Sequence, residues 1–288
     1  MPSNPEPPVS DPVIDKAQAR RSFERAADGY DDVALLQREV GERLLERLAY
    51  LRVQPEVALD LGCGTGQITA GLMRRYPKAR VYALDFAERM LRHTRRHGRW
   101  RRRPHCVCGD MESLPLADAS VDMLCSSLAF QWATDRERLF AECRRVLRPG
   151  GVLMFTTFGP DTLRELRAAW QRVDGMAHVN PFADMHDIGD ELMRAGFADP
   201  VMDVERMTLT YAEVMELMRD LKQLGAHNVL SARRRGLTGK AGWRAMAEAY
   251  EAFREDGRLP ASYEVVHGQG WVVDATQRQV PLDSLIRR

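Results

Sequence analysis

The fold is decided by one short stretch of the chain, Leu59-Asp60-Leu61-Gly62-Cys63-Gly64-Thr65-Gly66-Gln67. An apolar run at residues 57–59 leads into it and predicts a strand, whereas the spacing of Ile68, Leu72 and Met73 after it predicts a helix. Glycines between a strand and a helix let the backbone turn sharply and let a ligand lie on main-chain N–H groups. The stretch therefore predicts a ligand-binding loop at the end of a strand.

Asp60 stands two residues before the first glycine of this loop, at the predicted end of the strand. A carboxylate there suits a ligand with a positive charge, such as an amino group, and does not suit a pyrophosphate. The phosphate-binding fingerprint also spaces its glycines differently. We therefore expect Gly62, Cys63, Gly64 and Gly66 to contact a cationic ligand.

Strands and helices alternate from this loop onward. We expect strands at residues 57–60, 80–85, 105–109, 121–126 and 152–158, with a break at 149–151 before the fifth. Further strands are expected at 201–211 and 262–273. Repeated β–α units predict an α/β protein with a doubly wound, seven-stranded and mostly parallel sheet.

Helical patterns outside the repeated units predict a lid over this sheet. They are the N-terminal helices at 14–27 and 34–51, residues 160–180 with a helix at 160–173, and the helices at 212–224 and 240–254. Further helices are predicted at 135–147 and 184–195. We interpret 1–13 as a disordered proline-rich tail, 14–52 as N-terminal helices over the site and 53–159 as the core. Residues 160–288 are interpreted as the rest of the sheet with helical insertions.

Polar residues stand at four predicted strand ends. Ligands of doubly wound sheets bind at the carboxyl ends of the strands. Asp60, Asp85, Asp110 and Ser126 all occupy such positions. The sequence therefore predicts that the four side chains face one crevice.

The residues after the second and third strands suit a nucleoside. Asp85 can accept hydrogen bonds from both ribose hydroxyls, a geometry also found in nicotinamide enzymes. Phe86 and Met90 are placed to sandwich an adenine ring. Asp110 can accept from the exocyclic amine of adenine while the Met111 backbone donates to the ring. S-adenosylmethionine is a nucleoside with a cationic amino-acid end and no phosphate, so it fits this set.

The composition excludes several classes of protein. The 288 residues carry 42 basic and 41 acidic side chains, so no overall charge favours nucleic acid. We see no apolar run of bilayer length and no signal peptide, and we expect a cytoplasmic monomer that does not bind membranes. The five cysteines are expected to be reduced thiols, and the spacing of Cys106 and Cys108 does not predict a metal site.

Four motifs resemble those of class I S-adenosylmethionine-dependent methyltransferases. They are LDLGCGTGQ, ALDFAERML, GDMESLPL and VLRPGG, which together span residues 57–158. The resemblance implies S-adenosylmethionine as the cofactor and S-adenosylhomocysteine as the product. It also places Tyr30 and Gln37 over the cofactor.

Further segments, which extend over nearly the whole chain, resemble the malonyl-acyl carrier protein O-methyltransferase family. They include FERAA at 23–27, FQW at 130–132, FTTFGPDTL at 155–163 and HGQGW at 267–271. This resemblance implies methylation of the free carboxylate of a malonyl thioester, carried by an acyl carrier protein or coenzyme A. The resulting methyl ester would prime pimeloyl and biotin synthesis.

The implied reaction is compatible with the residues present. A carboxylate is ionised at pH 7, so no general base is required, and rate comes from positioning. Phe130, Trp132, Phe158 and Phe182 are candidates for an apolar acceptor pocket.

The substrate carboxylate needs a bidentate arginine or a pair of donors to hold it. Candidate positioning residues are Tyr30, Trp132, Arg164 and His178. Arg145 lies at the wrong end of its helix, and we assign it a structural role.

Two basic runs are candidate docking surfaces for an acidic carrier protein, at residues 92–103 and 233–235. The second lies in the predicted lid and is the better placed, whereas a solvated face explains the first. Three alternatives to the main interpretation stay open. They are a methyltransferase with another small-molecule, quinone-like or protein acceptor, a nicotinamide dehydrogenase, and a non-catalytic scaffold.

Overall fold

A computed structural model of the chain describes residues 14–98, 102–174, 176–226 and 239–273, so the expected tail at 1–13 lies outside the described residues. The strands are β1 (Val57–Leu61), β2 (Arg80–Asp85), β3 (His105–Cys108), β4 (Val121–Ser127), β5 (Leu147–Phe158), β6 (Ala198–Tyr211) and β7 (Leu259–Trp271). They form one sheet in the order β3-β2-β1-β4-β5-β7-β6. Strand β7 pairs antiparallel with both β5 and β6, and the pairings among the other strands are parallel. The predicted doubly wound, mostly parallel sheet is confirmed.

Helices of the described residues flank this sheet. They are α1 (Lys16–Ala26), α2 (Tyr30–Val33), α3 (Leu35–Arg47), α4 (Gln67–Arg75), α5 (Glu88–Thr94), α6 (Arg136–Val146), α7 (Arg164–Gln171), α8 (Met185–Arg194), α9 (Val214–Gln223) and α10 (Lys240–Glu251). Asp15, Asp135 and Asp184 each accept a backbone N–H at the start of the helix that follows. These N-caps fix helix starts that the sequence predicts within two residues.

Three predicted element bounds are wrong. No break separates α6 from the fifth strand, because residues 148–151 form a bulge inside β5, where Gly150 has a φ of 81° and donates to the carbonyl of Val272. The helix predicted at 160–173 begins only at Arg164, after a turn that ends with Leu163 at a φ of 55°. The helix predicted at 34–51 ends at Arg47 and continues as one 3₁₀ turn, Leu48–Tyr50.

Two apolar clusters position the ligand-binding edge of the sheet. The first fills the space between the central strands and the helices α6 and α8. The second joins α3, α7, α9 and α10 to β6 and β7, and it includes Leu128, the residue after β4. Helices α3, α7, α9 and α10 are therefore anchored beside the carboxyl end of β4.

Candidate functional site

Asp60 lies at the centre of the sheet edge and is almost fully buried, with 1% of its surface exposed. Its Oδ2 accepts a hydrogen bond of 2.5 Å from the Thr69 hydroxyl on α4, but its Oδ1 has no partner and is shielded from solvent. Burial raises the pKa of Asp60 to about 7, against the opposing effect of the Thr69 hydrogen bond. A buried carboxylate oxygen without a partner is suited to a cationic or N–H-bearing ligand.

The glycine loop does not present free amides as the sequence argument supposed. The N–H groups of Gly62 and Cys63 both donate to the Leu84 carbonyl, and Gly66 donates to the Cys63 carbonyl. Gly64 donates to Asp85 Oδ2 at 2.9 Å. These bonds fix the loop, so its role is to let a ligand approach closely: a Cβ added at Gly64 would meet open space.

Asp85 ends β2 and holds the backbone on both sides of the crevice. Besides the bond from Gly64, its Oδ1 accepts from the backbone N–H of Ala87 at 2.8 Å. Burial raises the pKa of Asp85 to about 6, although the bonds from Ala87 and Gly64 act in the opposite direction. The carboxylate is thus fixed in place, with lone pairs left for a ligand's hydroxyl groups.

Asp110 is paired with a lysine that sequence reasoning missed. Lys16 on α1 donates to both carboxylate oxygens, at 3.0 and 2.7 Å, and lies 2.7 Å from Glu112. Burial acts to raise the pKa of Asp110, but the bonds from Lys16 and from the Glu112 backbone outweigh it and hold the pKa below its usual value. No local pattern at position 16 signals this contact, which depends on how α1 crosses the sheet edge.

The N-terminal segment closes over the crevice through further anchors. Glu24 accepts from the backbone of Glu88 and Arg89 at the start of α5, at 2.7 and 3.1 Å. The Phe23 ring packs against the rings of Phe86 and Trp132, with centroid distances of 5.9 and 5.1 Å.

These contacts leave a cavity of about 70 Å³ that Trp132 helps to line. It is also lined by the predicted residues Tyr30, Gly62, Gly64, Asp85, Phe86, Met90, Asp110 and Met111, and we call it the small cavity. Burial, followed by the charges of Asp85 and Asp31, raises the pKa of Tyr30 well above its ordinary value.

Other predicted cofactor residues lie elsewhere. Ser126 is fully buried and donates to the Leu61 carbonyl, and Ser127 lines the small cavity in its place. Cys63 packs between β2 and α5, where burial raises its pKa. Gly66 faces Thr94 and His97. Of the four strand-end residues expected at one crevice, Asp85 and Asp110 therefore line the cavity, whereas Asp60 and Ser126 do not.

A larger cavity of about 1290 Å³ adjoins the small one, and Trp132 lines both. We call it the large cavity. Phe158 and Phe182 line it as predicted, with ring centroids 5.6 Å apart. Phe130 does not, because it stacks on Phe155 in the core. Helices α1, α3, α7 and α9 all contribute to its wall.

The positioning residues predicted for the acceptor are only partly brought together. His178 lines the large cavity, but it stacks on Trp170 at 3.8 Å and bonds Asp174 Oδ1 at 2.8 Å. Arg164 is 59% exposed, pairs with Glu165 and borders a separate cleft, so its predicted place at the acceptor is wrong. Arg145 has the predicted structural role, since it bonds Glu142, Asp118 and two loop carbonyls.

Two side-chain amides in the large cavity have unpartnered oxygens. Gln37, predicted to lie over the cofactor, lines the large cavity and not the small one, and its Oε1 is buried without a partner. Asn180, which sequence reasoning missed, is 9% exposed and its Oδ1 is likewise unpartnered. It lies in the segment between α7 and α8, where no periodic pattern marks it.

Comparisons with known proteins agree with this architecture. A family model described as "Methyltransferase domain" matches residues 59–155. A malonyl-[acyl-carrier protein] O-methyltransferase of Laribacter hongkongensis is 54% identical and covers 92% of each chain. One of Nitrosospira multiformis is 50% identical and covers 91% of this chain and 90% of its own. A solved putative methyltransferase of Bacillus halodurans, 18% identical, has a TM-score of 0.57 over 80% of this chain and 97% of its own, which supports the fold.

The chain belongs to the malonyl-[acyl-carrier protein] O-methyltransferase family. The prediction of an enzyme of the methyltransferase class is confirmed, and the dehydrogenase and scaffold alternatives are set aside.

The family's cofactor is tested by the residues present. The unpartnered Oδ1 of Asp60, the carboxylates of Asp85 and Asp110 and the apolar Phe86 and Met90 match the amino, hydroxyl and adenine groups of S-adenosylmethionine. The residues therefore fit the group chemically. The cavity of about 70 Å³ is smaller than the roughly 300–1,000 Å³ of typical ligand sites, and α1 contributes Lys16 and Phe23 to its lining.

The remaining expectations from the sequence concern metal ligands, membrane-spanning helices and the two basic runs. Among the described residues, no cluster of three or more metal-ligating side chains occurs, and none of their helices is long and apolar enough to cross a membrane. In the basic run at 92–103, Arg95 pairs with Glu88 and Arg102 donates to the carbonyls of Met73 and Tyr76. The run at 233–235 lies outside the described part of the chain.

Proposed function

We propose that this protein transfers a methyl group from S-adenosylmethionine to the free carboxylate of a malonyl thioester carried by acyl carrier protein. The observation that carries the proposal is the meeting of two unlike cavities at Trp132. The small one offers acids to a cationic nucleoside, and the large one has room for an acyl group with its arm. The methyl ester formed is the kind of intermediate that primes pimeloyl and biotin synthesis.

The cofactor supplies an electrophilic methyl group on sulfur when it is bound. Two residues of the small cavity would bind and orient it, Asp85 by accepting from the ribose and Asp110 by accepting from the adenine amine. Asp60 is not part of the cavity lining, but its buried and unpartnered Oδ1 would attract the positive end. Tyr30 and Trp132 line the small cavity and help to exclude water, and Trp132 also lines the large cavity.

The acceptor needs positioning more than it needs proton transfer. A malonyl carboxylate is ionised at neutral pH, since carboxyl groups have pKa values near 4, and so no base has to act on it. His178 is held by Trp170 and Asp174, an arrangement suited to packing. Phe158, Phe182 and Trp132 provide an apolar wall, in which a reaction that removes charge is favoured.

Mass spectrometry of purified malonyl-acyl carrier protein, incubated with the enzyme and S-adenosylmethionine, tests the proposal. We expect a gain of one methyl group on the malonyl form and none on the acetyl form. Methylation of both forms would point to another acceptor atom, and methylation of neither would refute the substrate. Malonyl-CoA in a parallel reaction compares the two carriers.

A further inference from the structure

The described cations of the large cavity lie at exposed positions. Of its described lining residues, Arg25, Arg219 and Lys222 carry positive charge, and all three are exposed to solvent on α1 and α9. Arg164, the cation that the sequence suggested, borders a different cleft. Among the described residues, neutral groups are therefore the candidates to hold a carboxylate in this cavity.

The candidates are the two amide side chains of the large cavity whose oxygens have no partner, those of Asn180 and Gln37. Asn180 is separated by one residue from Phe182, which packs against Phe158 at the end of β5. Gln37 follows Leu36, which belongs to the same apolar cluster as Leu128, and Leu128 lines the small cavity. Both amides line the large cavity, which shares Trp132 with the small one.

The state of each amide indicates which atom faces a ligand. Asn180 Oδ1 and Gln37 Oε1 are shielded from solvent and have no hydrogen-bond partner. The opposite end of each amide, Nδ2 or Nε2, is a donor with two N–H bonds and is the end available to a ligand in the cavity. A pair of such donors matches the two oxygens of a carboxylate.

Neutral donors also suit the reaction better than a cation would. The carboxylate loses its charge as the methyl group is transferred. A guanidinium would bind the starting anion more strongly than the transition state, and stronger binding of the starting state slows the chemical step. A neutral amide loses less of its interaction energy between the bound carboxylate and the transition state.

We propose that Asn180 and Gln37 are positioning residues that donate hydrogen bonds to the malonyl carboxylate and select substrates with a free carboxylate. The inference rests on the proposed function and deepens it. It assigns carboxylate recognition to neutral amides and leaves the exposed cations of the cavity to the rest of the thioester.

Paired ligands test this selection without catalysis. The malonyl thioester of N-acetylcysteamine is compared with its acetoacetyl analogue, in which a methyl group replaces the carboxylate oxygen. Both are titrated against the protein saturated with S-adenosylhomocysteine, with the fluorescence of Trp132, Trp170 and Trp243 in the cavity wall as the signal. We expect the unmodified protein to prefer the malonyl ligand, because bonds to a charged group are stronger than bonds to a neutral one.

The variants Asn180→Leu and Gln37→Met keep the side-chain size and remove the donors. Each is expected to reduce the malonyl preference about tenfold, a loss of the order of one bond to a charged group, while binding of the acetoacetyl ligand changes less than twofold. The control Gln223→Leu alters an exposed amide of the same cavity and should keep the preference. Equal weakening of both ligands, or an unchanged preference in both variants, would overturn the proposal.

Thermal unfolding separates this role from a structural one. Removing an unpartnered buried oxygen should leave the melting temperature of Asn180→Leu unchanged or raised, whereas a structural asparagine would lower it. Methylation measured beside binding keeps the two proposals apart. A protein that prefers the malonyl ligand but never methylates it would refute the proposed function and leave this inference standing. Methylation with variants of unaltered preference would do the reverse.

Discussion

The two cavities differ in how many of their polar groups already have hydrogen-bond partners within the protein. In the small cavity, Asp85 holds two backbone N–H groups and Asp110 holds Lys16, so the binding geometry exists before a ligand enters. In the large cavity, Gln37 and Asn180 have unpartnered oxygens. The difference suggests a fixed site for one constant cofactor beside a site that the acceptor completes.

The largest expected effect is that of Asp85→Ala. The variant loses the bond from Gly64 that fixes the glycine loop, the bond from Ala87 that fixes the segment after β2, and the partner for a ligand's hydroxyl groups. We expect affinity for S-adenosylhomocysteine to fall at least a hundredfold, because each bond to a charged group contributes about 1.5–3 kcal/mol. Calorimetric titration measures the loss.

Asp122→Ala is the matched control for this variant. Asp122 also accepts two backbone N–H groups, from Glu56 and Val57, but at the opposite edge of the sheet. It should lower thermal stability while the affinity for S-adenosylhomocysteine stays within twofold. Similar affinity losses in both variants would mean that the small cavity is not the cofactor site.

The sequence predicts the small cavity better than the large one for a physical reason. Asp85, Phe86, Asp110 and Met111 lie at or beside strand ends, and the alternation of strands and helices fixes which ends meet. The prediction for Ser126 is wrong because side chains alternate along a strand. Ser126 donates to the Leu61 carbonyl, and the next residue, Ser127, lines the small cavity.

The large cavity depends on contacts between segments far apart in sequence. Asn180 lies in an irregular segment, and its position follows from the packing of α7 against β7 and α10. Arg164 is the first residue of α7 and directly follows Leu163, whose left-handed backbone conformation the sequence does not signal. With α7 starting there, Arg164 borders a cleft separate from the large cavity. Local periodicity carries no information on either arrangement.

The pH dependence of cofactor binding sharpens the contrast between the cavities. The raised pKa values of Asp60, about 7, and Asp85, about 6, mean that the empty protein holds protons that the unfolded chain has released. The free energy of unfolding of the empty protein should therefore fall as the pH rises from about 4 to 7. A cationic ligand favours the ionised acids, so its affinity should rise over the same window.

Asp60→Asn isolates one of the two groups. Between pH 6 and 7, where Asp60 is the one of the two acids still protonated, the affinity of the unmodified protein for S-adenosylmethionine should rise by up to about tenfold, and the variant should lose this rise. Calorimetry at half-unit steps, in buffers of different ionisation enthalpy, counts the protons released. An identical profile in the variant would show that Asp60 does not titrate on binding.

A smaller effect is expected where α1 closes the small cavity. Lys16 bridges Asp110 and Glu112 and lines the small cavity, so we expect these ion pairs to slow the entry of a nucleoside. Lys16→Ala should speed the association of S-adenosylhomocysteine severalfold, since surface ion pairs contribute only about 0.2–1 kcal/mol each. Stopped-flow fluorescence measures the rate. Arg43→Ala, which removes an ion pair of α3, is the control, and equal rates in all three proteins would argue that α1 does not limit entry.

The smallest effect is expected for Arg164→Ala. Its guanidinium pairs with Glu165 beside a cleft that shares no residue with the large cavity, so kcat/KM for a malonyl thioester should change less than twofold.

Arg219→Ala, at an exposed position of the large cavity, should instead raise the KM for malonyl-CoA a few-fold, because a nearby positive charge attracts the phosphates of the carrier. The increase should shrink at high salt, as expected for an exposed charge. If Arg164→Ala lost more activity than Arg219→Ala, the acceptor would enter from the side of Glu165, and the large cavity would no longer be its site.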